Sequence, residues 1–564
     1  MPFQSHSTDG PADVATQEPT PARRLRRLAR FLGIPAAVYF VGFSVLTFPA
    51  ILSFGSRFFC DDSDGLQNVW NIWWVRKAIV DLHQSPWWTG WLHYPTGTTL
   101  LGHTLNPFNG LLAIPLSAAL SPVQVHNALV LLAFVGGGWT AFLLAYDATR
   151  AYWPSLLSGF AFTFSGYHFA HAEGHLQLVS LEWVPLFVLC WIRLLRAPTV
   201  ARGIAAAGAL GLVILCDYYY FAYCVVIGVM VAGWRTSEYR DALLLFRQPY
   251  RRPLAAFCFA SLASSGWLAI ALLLRSAADP FSGSHPPEWF SADLLAPFIP
   301  GAHSAYQALT ERYWSALRGN VHESSVYVGI TVLGLAVWGF ARRRAVEFKD
   351  AWMWLAIALM FYALSLGPEL TCAGTSLTKS VMPYAWLEQL LPPLRLSGCP
   401  ARMMVVVSLA LSVLAGGGLM AVLRPPTAKR VGLAALLSLA VAADLWPRSL
   451  TTVRPDVPPC VLTLRDLPGT SALLDLSGID PPLALYHQTI HEKPMAFGYV
   501  SRLPRSVVEA DERLVAQIER KDLQGLRDQY GFRYLATSGA EPRAMGILCE
   551  APGFRLYDLT KALP

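Results

Sequence analysis

The sequence predicts an α-helical polytopic membrane protein of about eleven transmembrane helices with interfacial helices, followed by a small extracytoplasmic α/β domain. Three observations carry this. Hydrophobic side chains make up 54% of the 564 residues and charged ones only 14%, with a mean hydropathy of +0.39, which excludes an ordinary soluble composition. Lysines and arginines gather between alternate apolar runs, so the net charge of +7 reports orientation in a bilayer and not nucleic-acid binding. From about Arg448 the long apolar runs give way to mixed polar and apolar sequence.

Residues 1–30 are Ser-, Thr-, Pro- and Ala-rich and end in Arg23, Arg24, Arg26, Arg27 and Arg30, a pattern expected of a disordered cytoplasmic tail. No small-residue cleavage site closes the run Phe31 to Phe54, which reads as a retained anchor that crosses outward. The outer loop 55–122 follows, where Trp73, Trp74, Trp87, Trp88 and Trp91 suggest helices lying in the interface. The apolar piece Phe108 to Leu120 is short for a span and is read as horizontal or re-entrant. If it crossed, every later basic cluster would fall outside.

On that reading the next crossings are Val123–Tyr146, Pro154–Phe169, Leu176–Leu195, Ala205–Cys216, Phe221–Trp234 and Leu254–Leu274. An outer loop, 275–325, separates these from Val326–Phe340 and Trp352–Leu366, and a second, 367–400, precedes Met403–Val422 and the last exit at Val431–Trp446. The transmembrane domain is thus 31–447 and the α/β domain 448–564, with strand-like pieces at Leu483–Tyr486 and Arg533–Thr537 and a helical one at Arg505–Lys521. The nine cysteines show no C-x-x-C spacing, and Cys190, Cys216, Cys224 and Cys258 sit in apolar runs as small hydrophobes. Cys372 with Cys399, or Cys460 with Cys549, could bridge on an oxidising face.

This topology sorts the reactive residues to one side. Asp61, Asp62 and Asp64 follow the first span directly, and His103, His168, His171, Glu173, His175, Asp217, His303, Glu323, Arg395 and Arg402 share their face, whereas the inner loops offer mostly Arg and Lys. Any catalytic site is therefore external. The acidic cluster after the first span, the long first outer loop and the polar group His168 to His175 resemble the GT-C superfamily of polyprenyl-phosphate-dependent glycosyltransferases. Closer still is a likeness to bacterial GT-C-like membrane proteins, through Gly174-His175-Leu176-Gln177, Leu181-Glu182-Trp183-Val184-Pro185-Leu186, Arg395 to Arg402, His491-Glu492-Lys493-Pro494 and Gly498 to Arg502.

The resemblance implies an inverting glycosyltransferase in the bacterial inner membrane, with a polyprenyl-phosphate-linked sugar as donor, membrane lipids around it, no nucleic acid, and an acceptor left open. It implies that Asp61, Asp62 or Asp64 is the general base that deprotonates the acceptor hydroxyl. Where many family members carry a second acidic residue, this chain has His171, Glu173 and His175; Glu173 could take the acid's part, or the histidines could bind phosphate or a divalent metal. No cofactor beyond that metal is implied. Arg395 and Arg402 are the candidate phosphate clamps, because guanidinium matches phosphate bidentately, and His103 and Asp217 are further substrate-binding candidates.

Plainer readings stand beside these. Asp61 to Gly65 could be an Asx-type turn capping a helix; His168, His171 and His175 a wetted helix end instead of one metal-binding face; Asp217 an aromatic-belt anchor; Arg402 a headgroup partner. A lipid-linked saccharide flippase would need ionisable or broken-helix features at mid-membrane, which the spans hardly show. A non-catalytic envelope assembly factor is the third class.

Overall fold

The computed structural model describes residues 21–283, 285–378, 381–390, 398–539 and 546–561. Helices occupy all eleven apolar stretches, and six are long and apolar enough to cross a membrane: Leu25–Leu46, Pro122–Thr149, Leu176–Arg196, Tyr218–Tyr239, Arg251–Ala278 and Pro400–Val422. Val200–Cys216, Ile330–Arg342 and Ala351–Ser365 are shorter apolar helices, as is Pro107–Leu116, whose ten residues cannot span a bilayer on their own. The first helix begins at Pro21, inside the stretch expected to be a disordered tail, because Arg23 to Leu28 have good helix propensity and simply extend the apolar run backwards.

The most buried long helix, Pro400–Val422, is the hub. It packs on Ile330–Arg342, Ala351–Ser365 and Tyr152–Thr163. The crossing with Ile330–Arg342 is so close that a Cβ on Gly418 would lie 2.0 Å from the Leu335 carbonyl, so only glycine fits there. At the periphery, Arg251–Ala278 leaves Phe259, Leu262, Trp267, Ile270 and Leu274 exposed, as a lipid-facing helix does.

Polar contacts divide the helix ends into two groups. At one end Trp139 Nε1 and Tyr152 Oη donate to the carbonyls of Phe31 and Arg30, and Asp147, Arg193, Arg196 and Asp350 form one ion-pair network. At the other end Arg57, Asp61, Glu173, His303, Thr451 and Asp444 belong to connected hydrogen-bonded segments. Arg30, Arg193 and Arg196 thus lie at one end of the bundle and the Asp61 turn at the other.

Beyond residue 446 a four-stranded sheet has Ala472–Leu476 parallel to Phe532–Thr537, which runs antiparallel to Phe554–Asp558 and thence to Gly546–Ala551. Cys460 is disulfide-bonded to Cys549, whereas Cys372 and Cys399 are free thiols. Leu483–Tyr486, expected as a strand, lies in the helix Pro481–His491: two prolines at its start favour helix initiation, and a four-residue apolar run alone does not distinguish the two states.

The loop 55–122 does not merely lie along an interface. Trp70 and Trp74 stack with centroids 5.7 Å apart and, with Trp91, share a core with Leu485, Met495 and Val500; Trp70 Nε1 donates to Gln488 Oε1 at 2.7 Å. Of the five tryptophans expected at the membrane surface only Trp88 is half exposed; the others pack in or against this core, and Trp87 also meets Trp267 edge-on.

Candidate active site

Asp61 and Asp64 belong to the turn that starts the helix Asp64–Arg76. Asp61 Oδ1 accepts from the N–H groups of Gly65 at 2.8 Å and Ser63 at 3.1 Å, so the Asx turn is real and leaves Oδ2 over. That oxygen faces Gly174, where a Cβ would stand 2.9 Å from it and 3.3 Å from Asp64 Cβ; the glycine is what lets the two polar segments meet. Three further bonds seal the junction: Asp61 N–H donates to the Glu173 carbonyl, and Asn68 Nδ2 bridges the carbonyls of Asp64 and Gly174. Asp62 points out of this junction and is exposed.

Facing Asp64 is a buried basic and acidic group. His175 Nε2 lies 3.4 Å from Asp64 Oδ2 and 3.7 Å from Glu323 Oε1, and His171 Nε2 lies 3.9 Å from Glu323 Oε2 with no hydrogen-bond partner. Arg402 holds Glu323 bidentately, with Nε on Oε2 at 3.0 Å and Nη2 on Oε1, and its guanidinium sits 5.0 Å above the Tyr219 ring. From the carboxy-terminal part of the chain Tyr499 contributes to the surroundings that lower Asp64, and its carbonyl lies 3.5 Å from Gln67 Nε2.

These surroundings push the two carboxylates apart. Burial raises Asp61 above the ordinary carboxylate range, more than its two backbone N–H donors lower it. Burial also opposes ionisation of Asp64, but the hydrogen bond and charge of His175, with Tyr499, outweigh it and hold Asp64 low. Burial drives His171 well below the usual imidazole value, so that its ring is neutral near pH 7.

The other expected residues are placed differently. His168 does not join His171 and His175; its ring stacks on Phe134 and its nitrogens lie 2.7 and 2.9 Å from the carbonyls of Thr163 and Val179, which hold it there. Glu173 turns its carboxylate to His303, Thr451 and His322 and away from Asp64. His103, lowered to about 3 by burial, is neutral: Nδ1 accepts from Ser501 N–H, which leaves Nε2–H for Asn71 Oδ1 at 2.8 Å. It therefore ties the carboxy-terminal segment to the Asp64 helix. Asp217 caps the helix Tyr218–Tyr239 by accepting from Tyr220 N–H at 3.0 Å, and burial pushes it up to about 6. Arg402, expected as a phosphate clamp, is committed to Glu323; Arg395 lies outside the described residues.

Sequence reasoning placed Glu323 and His303 on this face without giving them a part, and it passed over His322 and Tyr499. Only Gly498 to Arg502 had been singled out as a motif, and it is this segment that brings Tyr499 and Ser501 to the site.

Comparison with solved structures places the fold. The arabinofuranosyltransferase AftD from Mycobacteria aligns over 94% of this chain with a TM-score of 0.56 and 14% identity. The alignment covers 41% of AftD, so the chain spans about two fifths of that protein's length. ArnT from Cupriavidus metallidurans, solved with undecaprenyl phosphate, aligns over 96% of this chain and 99% of its own (TM-score 0.49, 12% identity). The oligosaccharyltransferase AglB from Archaeoglobus fulgidus, solved with an inhibitory peptide and a dolichol-phosphate, aligns over 91% and 70% (TM-score 0.46, 11% identity). At such identities the likeness is one of fold. No curated protein matches the sequence. Residues 31–446 match the family described as a domain of unknown function, DUF6311, and the chain belongs to that family.

Proposed function

We propose that this protein is a multi-pass membrane glycosyltransferase that moves a sugar from a polyprenyl-phosphate carrier to an acceptor hydroxyl in the hollow between Asp61, Asp64, His175 and Glu323. The observation that carries the reading is the meeting of the Asp61–Asp64 turn with His175 and Glu323: His175 Nε2 lies 3.4 Å from Asp64 Oδ2 and 3.7 Å from Glu323 Oε1, in surroundings that raise Asp61 by burial and hold Asp64 low. A base works best when its pKa approaches the working pH, which assigns Asp61 to take the acceptor's proton through Oδ2. Asp64, fixed by His175 and Tyr499, orients the acceptor. The fold shared with AftD supports the reaction class.

Charge must also be met on the leaving phosphate. Arg402 cannot supply much, because Glu323 neutralises it. His171, His175 and Glu323 bring three ligand atoms within 4.8 Å of one another, and the buried, unpartnered Nε2 of His171 fits a divalent ion of the zinc class. Bound there, such an ion would act as a Lewis acid toward the phosphate oxygens. Placement of the hollow on the extracytoplasmic side of the inner membrane is favoured by the arginine-rich opposite end and by the Cys460–Cys549 disulfide.

The test is reconstitution of the purified chain into vesicles with labelled polyprenyl-phosphate hexoses and pentoses and an envelope extract as acceptor. Label should leave the lipid for a new product, and Asp61→Asn should stop it. Label crossing the bilayer without product would replace the reading with a flippase, and neither would leave an assembly factor.

A further inference from the structure

Behind the hollow lies a second cluster that the proposed transfer does not use. The two segments that build the hollow alternate their side chains: His171 and His175 face Glu323, while Glu173 between them and His322 beside Glu323 turn together toward His303. We propose that Glu173, His303 and His322 form a second divalent-cation site, of the zinc class, which staples the outer loops onto the segment carrying Gly174. The site stands whether or not the hollow transfers a sugar.

The ligand geometry is close to what such an ion needs. One donor atom from each residue lies within 4.8 Å of the others. His303 Nδ1 is 3.3 Å from Glu173 Oε1, His322 Nδ1 is 3.8 Å from Oε2, and His303 Nε2 is 2.8 Å from His322 Nδ1. Tetrahedral zinc with bonds near 2.0–2.1 Å holds its ligand atoms about 3.3 Å apart and takes one nitrogen of His303, so the three ligand atoms, now within 4.8 Å, must close in and the His303–His322 contact through the other nitrogen must open. Two imidazoles and one carboxylate leave a fourth place for water, and the His322 side chain, 45% exposed, marks the way in.

The supporting shell is in place as well. Thr451 Oγ1 donates to Glu173 Oε1 at 2.7 Å, as an outer-shell group does when it orients a metal carboxylate. Each ligand sits on a separately fixed backbone: Asp61 N–H donates to the Glu173 carbonyl at 2.7 Å, Arg448 N–H to the His303 carbonyl at 2.8 Å, and His322 N–H to Asn320 Oδ1 at 2.8 Å. The one opposing charge is Arg448, whose Nη2 is 3.8 Å from Glu173 Oε1; its side chain is 48% exposed and has solvent to turn into. The rival is a metal-free chain in which His322 donates to His303 and His303 to Glu173. That chain accounts for the contacts at 2.8 and 3.3 Å and predicts no bound ion.

The experiment separates the two clusters. Full-length protein in detergent is stripped with chelator, reloaded with zinc or cobalt, dialysed, and its metal counted by elemental mass spectrometry, with cobalt absorption reporting tetrahedral geometry. In a His171→Ala/His175→Ala background one ion per chain should remain, and adding His303→Ala or His322→Ala should remove it. His322→Cys should restore binding where His322→Asn does not, which excludes simple misfolding, and Thr451→Val should weaken it about 10–100-fold. No metal in the His171→Ala/His175→Ala protein, or an ion kept by His303→Ala and His322→Ala, overturns the site.

Discussion

The two ends of the helical bundle hold similar numbers of charged groups and use them in opposite ways. At the Arg30 end, Asp147 accepts from Arg193 Nε at 3.0 Å and from Arg196, which also pairs with Asp350, so two carboxylates and two guanidiniums satisfy one another. At the Asp61 end Arg402 and Glu323 are paired as fully. Around them Asp64, His171, His175 and Glu323 stand 3.4 to 3.9 Å apart, and a buried ring nitrogen has no partner. Saturated charge braces helices; spaced charge leaves room for a ligand. The charged residues alone would not have separated the two cases.

Substitutions at each end sharpen this contrast. The largest effect belongs to Asp61→Asn, which keeps the Asx turn but removes the base: transfer should drop about 10²–10⁴-fold with unfolding unchanged. Its pH profile carries a sign. Asp61 must be ionised to act and is raised by burial, so the acid limb of kcat/KM should lie above the ordinary carboxylate range. A limb below that range would move the base to Asp64. Next comes Arg402→Ala, which strands the buried Glu323 and should cost about 3–5 kcal/mol of stability, most of it recovered by adding Glu323→Gln. Chemical denaturation in detergent measures both.

At the other end Arg196→Ala should cost less, about 1–2 kcal/mol, since its side chain is 28% exposed and water shares the load. Transfer should be untouched, and a large loss of rate would erase the distinction between the ends. The smallest effect is expected at Asp217, where Ala removes the helix cap at a cost of about 1 kcal/mol and Asn does not. Because Asp217 is raised to about 6, its contribution is full below its unfolded value near 3.8 and fades as pH rises through 6; Asp217→Asn should flatten that slope.

Much of the helical part was legible in the sequence, because a bilayer demands long apolar runs and basic loops, and these need no knowledge of tertiary contacts. The turn at Asp61 to Asp64 and the pair His171 and His175 were legible for the same reason: polar residues directly after a span stand out. Glu323 did not, since its short helix, Val321–Ser324, carries no local mark of the arginine it meets 79 residues later. His168 was misjudged because spacing does not show the carbonyls of Thr163 and Val179 that hold its ring. The tryptophans after Trp70 were assigned to lipid because nothing in their own stretch announces the helix Pro481–His491 that covers them.

The contacts made by Tyr499 and Ser501 have a consequence in time. Ser501 meets His103 across 398 positions and the Tyr499 carbonyl meets Gln67 across 432, so during synthesis the wall opposite the aspartates arrives long after the turn that it faces. Until then the apolar helices can stand complete around an unfinished polar site.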